Sequence, residues 1–276
     1  MAWQFTDDPD VYGAHAWELL AREPAERTVA LTILESARAG FRWSDEPMLF
    51  GWYGDGADVR GAVLWTPPFE LLLAAVPDDA VAELVSALRA RGAALPGVNG
   101  DVATVERFID AWQPPRSTPG FAMRLYRLAA LQPPSPSPPG APRVAGEDDL
   151  PIAIRWLEAF EAEAGVRRTD VEPAARDRIG AGRLWLWETD GVPVSMAART
   201  PTIAGVARIA PVYTPSEHRR RGYGAAITAT CTADALERDA DHVVLFTDLA
   251  NPTSNSIYQQ IGFRPVADYR VVHFDR

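Results

Sequence analysis

The chain has 276 residues and a net charge of −10, with 47% hydrophobic and 23% charged residues. This is the composition of a soluble globular protein, and the acidic balance argues against general nucleic-acid binding, which depends on excess Lys and Arg. No stretch approaches the ~20 apolar residues of a membrane span, and the N-terminus has no basic region followed by an apolar core, so we expect a cytoplasmic protein with no membrane partner. The single cysteine, Cys231, excludes an internal disulfide and a cysteine-based metal site, and we assign no metal site.

The first half of the chain predicts a mixture of helices and strands. Apolar periodicity, caps and turn residues predict helices at 11–22, 25–39, 77–91 and 101–112, and strands at 48–53, 59–65, 70–75 and 121–131. The glycine-containing stretch 51–56 is interpreted as a hairpin turn between the first two strands.

Residues 132–142 are rich in proline, which has no N–H to donate to a ladder of hydrogen bonds. The segment therefore predicts an extended, semi-rigid spacer between two domains, at 1–131 and 143–276. A Pro-rich surface loop within one domain is the alternative.

The second half repeats the element order of the first. The predicted helices are 147–163, 172–180, 222–238 and 253–261, and the predicted strands are 183–188, 192–198, 203–213, 243–246 and 263–274. This repetition indicates two α/β domains of similar architecture, although the two halves share no evident sequence identity.

A segment rich in arginine and glycine joins the predicted strand 203–213 to the long helix that follows it. The first turn of a helix leaves N–H groups unpaired at the positive end of the helix dipole, which favours phosphate. Gly222 and Gly224 remove side chains that would keep a diphosphate away from this backbone, and three neighbouring arginines supply positive charge. The alternative is a glycine-rich helix start with solvated arginines. The residues assigned to the phosphates are Arg219, Arg220, Arg221, Gly222, Tyr223, Gly224 and Ala225.

A second motif, 251–263, contains an Asn-rich loop, a helix with a tyrosine, and then Gly-Phe. Thr253 or Ser254 can cap this helix, which places Asn255 and Tyr258 one turn apart on one face. The alternative is that Tyr258 is a core aromatic residue and Asn255 a capping residue.

Together, Arg-x-x-Gly-x-Gly and this second motif resemble the two signatures of the GNAT superfamily of N-acetyltransferases, over residues 143–276. The resemblance implies a central, mostly antiparallel sheet flanked by helices, with acetyl-CoA as cofactor. It further implies that Asn251 and Asn255 contact the cofactor, with Asn255 on its pantetheine arm, and that the Tyr258 hydroxyl lies near the thioester sulfur.

Pro211 lies inside a predicted buried strand, where proline marks a bulge or a strand that has parted from its neighbour. GNAT folds have two parallel strands that splay apart at this place. The resemblance therefore implies that main-chain groups of Val212 and Tyr213 pair with the pantetheine arm. At the equivalent place in the first half stands 76–79, Val-Pro-Asp-Asp, whose aspartates would repel a diphosphate, so a tandem GNAT arrangement with a degenerate N-terminal copy is implied.

The expected function is direct transfer of the acetyl group of acetyl-CoA to a primary amine of a small molecule or peptide, by a monomer or homodimer. Tyr258 would stabilise the departing thiolate, and a backbone N–H at the Pro211 bulge would stabilise the developing oxyanion. A non-catalytic acetyl-CoA sensor is the alternative, which needs the phosphate loop but not an acid beside sulfur.

The sequence does not identify the base that deprotonates the amine, and water could relay the proton instead. Candidate bases, each of which also fits as a solvated or capping residue, are Glu158, Glu161, Glu163, Asp248 and His218. Trp156, Trp185 and Trp187 either line an acceptor pocket or pack in the core, as their spacing favours, and Cys231 is interpreted as a small buried filler.

Overall fold

A computed structural model describes residues 1–56, 58–165 and 170–275. From the N-terminus the elements are β1 (Ala2–Thr6), α1 (Pro9–Arg22), α2 (Thr28–Arg38), β2 (Leu49–Asp55), β3 (Asp58–Trp65), β4 (Leu71–Ala75), α3 (Val81–Ala90), β5 (Gly97–Asp101), α4 (Val102–Trp112) and β6 (Ser117–Leu128). They continue with β7 (Ala141–Val144), α5 (Leu150–Ala164), α6 (Glu172–Gly180), β8 (Leu184–Thr189), β9 (Val192–Arg199), β10 (Val206–Tyr213), α7 (Tyr223–Arg238), β11 (His242–Asp248), α8 (Pro252–Gln260) and β12 (Phe263–Phe274). The predicted mixture of helices and strands is confirmed, while β1, β5 and β7 were not predicted.

The chain folds as two units that differ from the predicted domains. Unit 1 comprises Met1–Leu125, Asp248–Ala250 and the stretch from Val266 onward, whereas unit 2 comprises Tyr126–Thr247 and Asn251–Pro265. The end of the chain, which the sequence places in the second domain, thus belongs to the first unit. The physical reason is that β12 pairs antiparallel with β5 and contributes apolar residues to the core of unit 1.

In unit 1, strands β1 to β4 are antiparallel, β4 and β5 run parallel, and β12 follows β5. Its core lies between this sheet and helices α3 and α4, where Leu84, Leu88 and Phe108 are fully buried. As predicted, Asp101 caps α4, because its carboxylate accepts a hydrogen bond from the Thr104 N–H at 3.0 Å.

The predicted hairpin turn at 51–56 is wrong for most of its length. Gly51 and Gly54 lie within β2, paired with β3, and the turn itself contains Gly56. A side chain at Gly51 is excluded because its Cβ would stand 2.7 Å from the ring of Phe5. The glycine permits close packing against the sheet rather than a turn.

In unit 2, β7, β8, β9 and β10 are antiparallel neighbours, and β11 runs parallel to β10. Alternate residues of the strands enter two cores. Leu184 and Leu186 of β8 pack with α5 and α6, whereas Trp185 and Trp187 face the core that contains α7. Among the described helices of both units, none is long and apolar enough to cross a membrane.

The Pro-rich segment 132–142 is not the extended, semi-rigid spacer between two domains that its composition predicts, because it lies within unit 2. Its first residue donates from the Gln132 N–H to the Ile261 carbonyl at 3.0 Å, and the Pro139 carbonyl accepts from the Trp187 indole N–H at 2.9 Å. At its end, Ala141 begins strand β7. These hydrogen bonds hold the segment against the rest of unit 2, which agrees with the alternative of a surface loop within one domain.

Candidate functional site

The two parallel strands of unit 2 separate part-way along their length. They pair at three positions, from Val206–His242 to Arg208–Val244, although both strands continue beyond these residues. On its other edge β10 pairs with β9, and the register shifts between Ile209 and Val212. Pro211 lies inside this bulge, as predicted, because proline cannot donate to a ladder. Beyond the last pair, the main-chain groups of β10 and β11 therefore do not hydrogen-bond to each other.

The parted strand β10 leads to the start of α7, where the backbone is open to a ligand. Gly222 is the N-cap with a φ of +85°, a conformation that favours glycine, and no side chain in the described part of the chain caps this helix. The first bond of the helix runs from the Ala226 N–H to the Gly222 carbonyl at 3.0 Å, so the preceding N–H groups of the turn have no acceptor within the helix.

The two glycine positions of this turn are not crowded by neighbouring atoms. A Cβ on Gly222 would have Pro138 as its nearest neighbour at 3.7 Å, and a Cβ on Gly224 would meet the Thr214 hydroxyl at 3.4 Å. Neither contact closes the approach to the backbone. Unpaired N–H groups and the positive end of a helix dipole together form an anion site, so the residues present suit the diphosphate of coenzyme A.

The arginines ahead of this turn are exposed, but Arg219 already has partners. Its guanidinium pairs with the Glu163 carboxylate at the end of α5, donates from Nε to the Thr214 carbonyl at 2.8 Å, and lies 5.9 Å from the centre of the Tyr213 ring. Glu163 also accepts a hydrogen bond from the Tyr213 hydroxyl at 3.2 Å. Burial, followed by the charge of Glu163, raises the pKa of Tyr213. Arg219 therefore joins the segment ahead of α7 to Glu163, a candidate base.

Helix α8 begins differently from the prediction. Asn251, not Thr253 or Ser254, is the N-cap, and its side-chain oxygen accepts from the Ser254 N–H at 3.0 Å. One turn later the Asn255 amide donates to the Asn251 carbonyl at 2.7 Å. Both asparagines thus hold the start of α8 in shape, and their contact with a cofactor remains a prediction.

Tyr258 lies one turn further along α8 and is half-buried against Phe263, with the ring centres 6.4 Å apart. Burial raises the pKa of Tyr258 to about 12. Within the described parts of the chain its hydroxyl has no hydrogen-bonding partner. The side chain therefore carries a proton at neutral pH and is free to donate it.

Tyr126 of β6 supports the candidate site, and the sequence did not reveal it. It is fully buried, donates from its hydroxyl to the Asn255 side-chain oxygen at 2.8 Å, and accepts from the Gln259 amide at 3.1 Å. These bonds tie β6 to the helix that carries Tyr258. The available signal was a tyrosine in an apolar strand, because a buried hydroxyl requires a partner.

The other candidate residues are dispersed. Glu158 is exposed, Glu161 is half-buried, and Asp248 is exposed with its carboxylate accepting from the Ala250 N–H at 2.8 Å. His218 ends the turn before Arg219, and its buried Nδ1 has no partner among the described residues.

The aromatic and cysteine candidates are packing residues. Trp156 and Trp187 are buried in the two cores of unit 2, which agrees with the packing interpretation, and Trp185 is half-buried. Cys231 is fully buried and its thiol pKa is raised by burial, so it is a filler rather than a nucleophile. Where the chain is described, no cluster of His, Cys, Asp or Glu could hold a metal ion.

The corresponding connection in unit 1 carries aspartates where unit 2 has glycines. Residues 76–79 join β4 to a short 3-10 turn ahead of α3, as the element order predicts. Asp78 pairs with Arg107 at 2.8 Å and Asp79 with Arg60 at 3.3 Å. The turn presents carboxylates instead of glycines, which disfavours an anion.

Comparisons with known proteins agree with this geometry. Residues 152–263 match the Acetyltransferase (GNAT) family. The chain carries a GNAT domain. No curated protein matches the sequence significantly.

Solved GNAT structures share the fold over both units. A GNAT protein from Sphaerobacter thermophilus is 16% identical, with a TM-score of 0.63 and coverage of 98% of this chain and 94% of that one. A GNAT protein from Kribbella flavida is 22% identical, with a TM-score of 0.56 and coverage of 79% and 89%. A tandem GNAT protein from the clavulanic acid biosynthesis pathway is 13% identical, with a TM-score of 0.59 and coverage of 98% and 97%. Two GNAT-like domains, each with a mixed sheet and flanking helices, therefore make up the chain.

Proposed function

We propose that unit 2 binds acetyl-CoA and transfers its acetyl group directly to a primary amine of a small molecule or peptide. The observation that carries the proposal is the parting of β10 from β11 beside a bulge, directly ahead of the glycine-opened start of α7. This arrangement offers unpaired backbone groups to an extended ligand arm and a helix N-terminus to its phosphates. Membership of the domain in an acetyltransferase family supports the same chemistry.

Bound acetyl-CoA supplies a thioester carbonyl that an amine can attack without a covalent enzyme intermediate. The protein's part is to position this group, to donate to the sulfur as it leaves and to stabilise charge on the carbonyl oxygen. Tyr258 is suited to the donation because its hydroxyl is protonated and unpartnered among the described residues. An N–H in the bulge around Pro211 is the candidate for the oxygen.

The amine must lose a proton, since a free alkylammonium has a pKa of about 10. Glu163 is the candidate base with a defined environment, because it lies between the Tyr213 hydroxyl and Arg219. A diphosphate at the start of α7 would compete with Glu163 for Arg219 and release the carboxylate from this ion pair. Water remains the alternative proton acceptor.

A non-catalytic acetyl-CoA sensor is the second candidate function. Tyr258 favours the enzyme, because a sensor has no need of an unpartnered acid beside the sulfur. The test is a panel of primary amines incubated with the full chain and acetyl-CoA, with release of free CoA followed by a thiol reagent. Amine-dependent release supports the transferase, whereas acetyl-CoA binding without release by any amine supports the sensor. Absence of acetyl-CoA binding would refute both functions.

A further inference from the structure

Three arginines of unit 2 lie where the end of α6 meets strands β8, β9 and β10. Backbone hydrogen bonds place them side by side. The Arg183 N–H donates to the Arg178 carbonyl at 2.7 Å, and the Arg183 carbonyl accepts from the Arg199 N–H at 3.0 Å. The next residue, Thr200, donates its N–H to the Arg208 carbonyl at 2.9 Å. The last turn of α6 is thereby brought next to the middle of β10.

The side chains of Arg178 and Arg208 share one face of the sheet. The neighbours of Arg208 in β10, Ala207 and Ile209, belong to the core that contains α7. Because side chains alternate along a strand, Arg208 points to the opposite face, against which α5 and α6 pack. On α6, Arg178 lies three residues after the buried Ala175, which places both residues on the helix side that faces this core.

Arg178 and Arg208 carry their charges where solvent reaches only part of each residue. Arg183 pairs with Asp177 at 2.7 Å, whereas Arg178 has no carboxylate within ion-pair distance in the described part of the chain. Burial, followed by the charge of Arg178, lowers the pKa of Arg208 to about 10. Burial, followed by the charge of Arg183, lowers the pKa of Arg178. Neighbouring cations therefore repel each other here, and a bound anion would offset this cost.

The position of Arg208 relates this basic surface to the proposed reaction. Arg208 and Val244 form the last pair between β10 and β11, so the gap between these strands is closed here and open toward the start of α7. Under the proposed function the pantetheine arm enters the gap from the diphosphate at α7. Its acetyl end then points toward the closed end of the gap, where Arg208 lies.

We infer that Arg178 and Arg208 bind a carboxylate of the acceptor, and that the acceptor is a small primary amine that also carries a carboxylate, such as an amino acid. The inference rests on the proposed function and narrows its substrate class. Guanidinium groups bind carboxylates through paired N–H donors. Arg208 stands three residues before Pro211, which is about 10 Å along a strand. This spacing suits an amine and a carboxylate within one small molecule.

The test uses pairs of amines that differ only by a carboxylate: lysine and cadaverine, ornithine and putrescine, tyrosine and tyramine. The full chain is incubated with acetyl-CoA and each amine, and release of CoA is followed. We expect the carboxylated member of a pair to have a kcat/KM at least about tenfold higher, as loss of a hydrogen bond between charged groups implies.

Two variants assign this preference to the arginines. Arg178→Met removes one guanidinium, and Arg208→Lys keeps the charge but loses the paired donors. Each should raise KM for the carboxylated amine roughly 10–150-fold and change KM for its partner by less than about twofold. Arg176→Met is the matched control, because Arg176 is exposed on the same helix and pairs with Glu172 at 2.7 Å.

A purely structural role gives a different result. It lowers the midpoint of urea denaturation and impairs both members of a pair equally, which would overturn the inference. A preference for the decarboxylated amines, or a preference that survives in both variants, would also overturn it, although acetyl transfer would stand. Preference for O-phosphoethanolamine over β-alanine would assign the arginines to a phosphate and refute the carboxylate.

Melting of the acetyl-CoA complex provides a readout that needs no turnover. Carboxylated amines should raise the melting temperature of the unmodified protein but not that of Arg178→Met or Arg208→Lys. If no amine releases CoA and no carboxylated amine raises the melting temperature, the inference is wrong. Calorimetric titration with acetyl-CoA alone then decides separately whether the proposed cofactor binding fails as well.

Discussion

Replacing Gly224 with alanine should abolish most acetyl-CoA binding without harming the fold. The backbone at Gly224 lies outside the left-handed region, and the nearest atom to an added Cβ is the Thr214 hydroxyl at an ordinary 3.4 Å. An alanine in a helix is also favoured over glycine by roughly 0.5–1 kcal/mol. The variant should therefore unfold at the same denaturant concentration as the unmodified protein, or slightly higher. Gly222 is a poorer test, because a side chain at its φ of +85° costs about 1–2 kcal/mol.

The cost should appear in cofactor binding. A methyl group at Gly224 keeps a phosphate oxygen from approaching the unpaired N–H groups of the first turn of α7. Loss of one hydrogen bond to a charged group is worth about 1.5–3 kcal/mol, which corresponds to a roughly 10–150-fold higher Kd.

The measurement is calorimetric titration with acetyl-CoA, alongside urea denaturation of the same samples. Gly180→Ala is the matched control, because Gly180 ends α6 and has no atom within 4 Å of its Cβ position. A folded Gly224→Ala protein with unchanged acetyl-CoA affinity would refute the assignment of the phosphate site to this turn.

Four further predictions follow from the same site. Tyr258→Phe should lower kcat by roughly 10–100-fold with little change in KM; the effect is at the low end for a general acid because a thiol with a pKa near 8.5 leaves fairly well unaided. Since the pKa of Tyr258 is near 12, the ratio of the two kcat values should stay constant in steady-state assays up to about pH 10.5. A variant with full kcat would remove Tyr258 from the mechanism. Tyr126→Phe should lower the free energy of unfolding by about 1–3 kcal/mol in urea titrations, because it removes two hydrogen bonds of a buried hydroxyl, one to Asn255 and one from Gln259. Unchanged stability would show that these bonds are dispensable. Glu163→Gln should tighten acetyl-CoA binding by no more than about fivefold in calorimetry, since it frees Arg219 from an exposed ion pair. Weaker binding would contradict the proposal that the diphosphate competes with Glu163 for Arg219. Titration of the full chain should give one acetyl-CoA per polypeptide, because unit 1 presents aspartates where unit 2 has glycines, and two would reveal a second cradle.

Features that depend on local backbone chemistry were readable from the sequence. Gly222 and Gly224 predicted the open start of α7, and Pro211 predicted the bulge beside the parted strands. Asp101 predicted the start of α4. In each case the residue type acts on its own φ, its own N–H or a group within one turn, so no distant partner is needed.

Features that depend on distant partners required the tertiary structure. The end of β12 joins unit 1 because it pairs with β5, whose glycine-rich sequence has low strand propensity and gave no signal. At Gly51 the sequence predicts a turn, whereas the glycine is required by close contact with the ring of Phe5, which comes from another strand.

Two parts of the candidate site had the same limitation. Tyr126 reaches Asn255 only after β6 is placed beside α8, and the two residues stand 129 positions apart. Proline composition predicted that the segment 132–142 would not enter a regular ladder, but the hydrogen bonds that hold it against unit 2 come from residues far along the chain. The sequence alone determined which backbone positions at the start of α7 lack a side chain and an intrahelical acceptor, because that is decided within one turn. Only the tertiary structure decided which side chains and which walls surround them, because those contacts join segments that are distant in the chain.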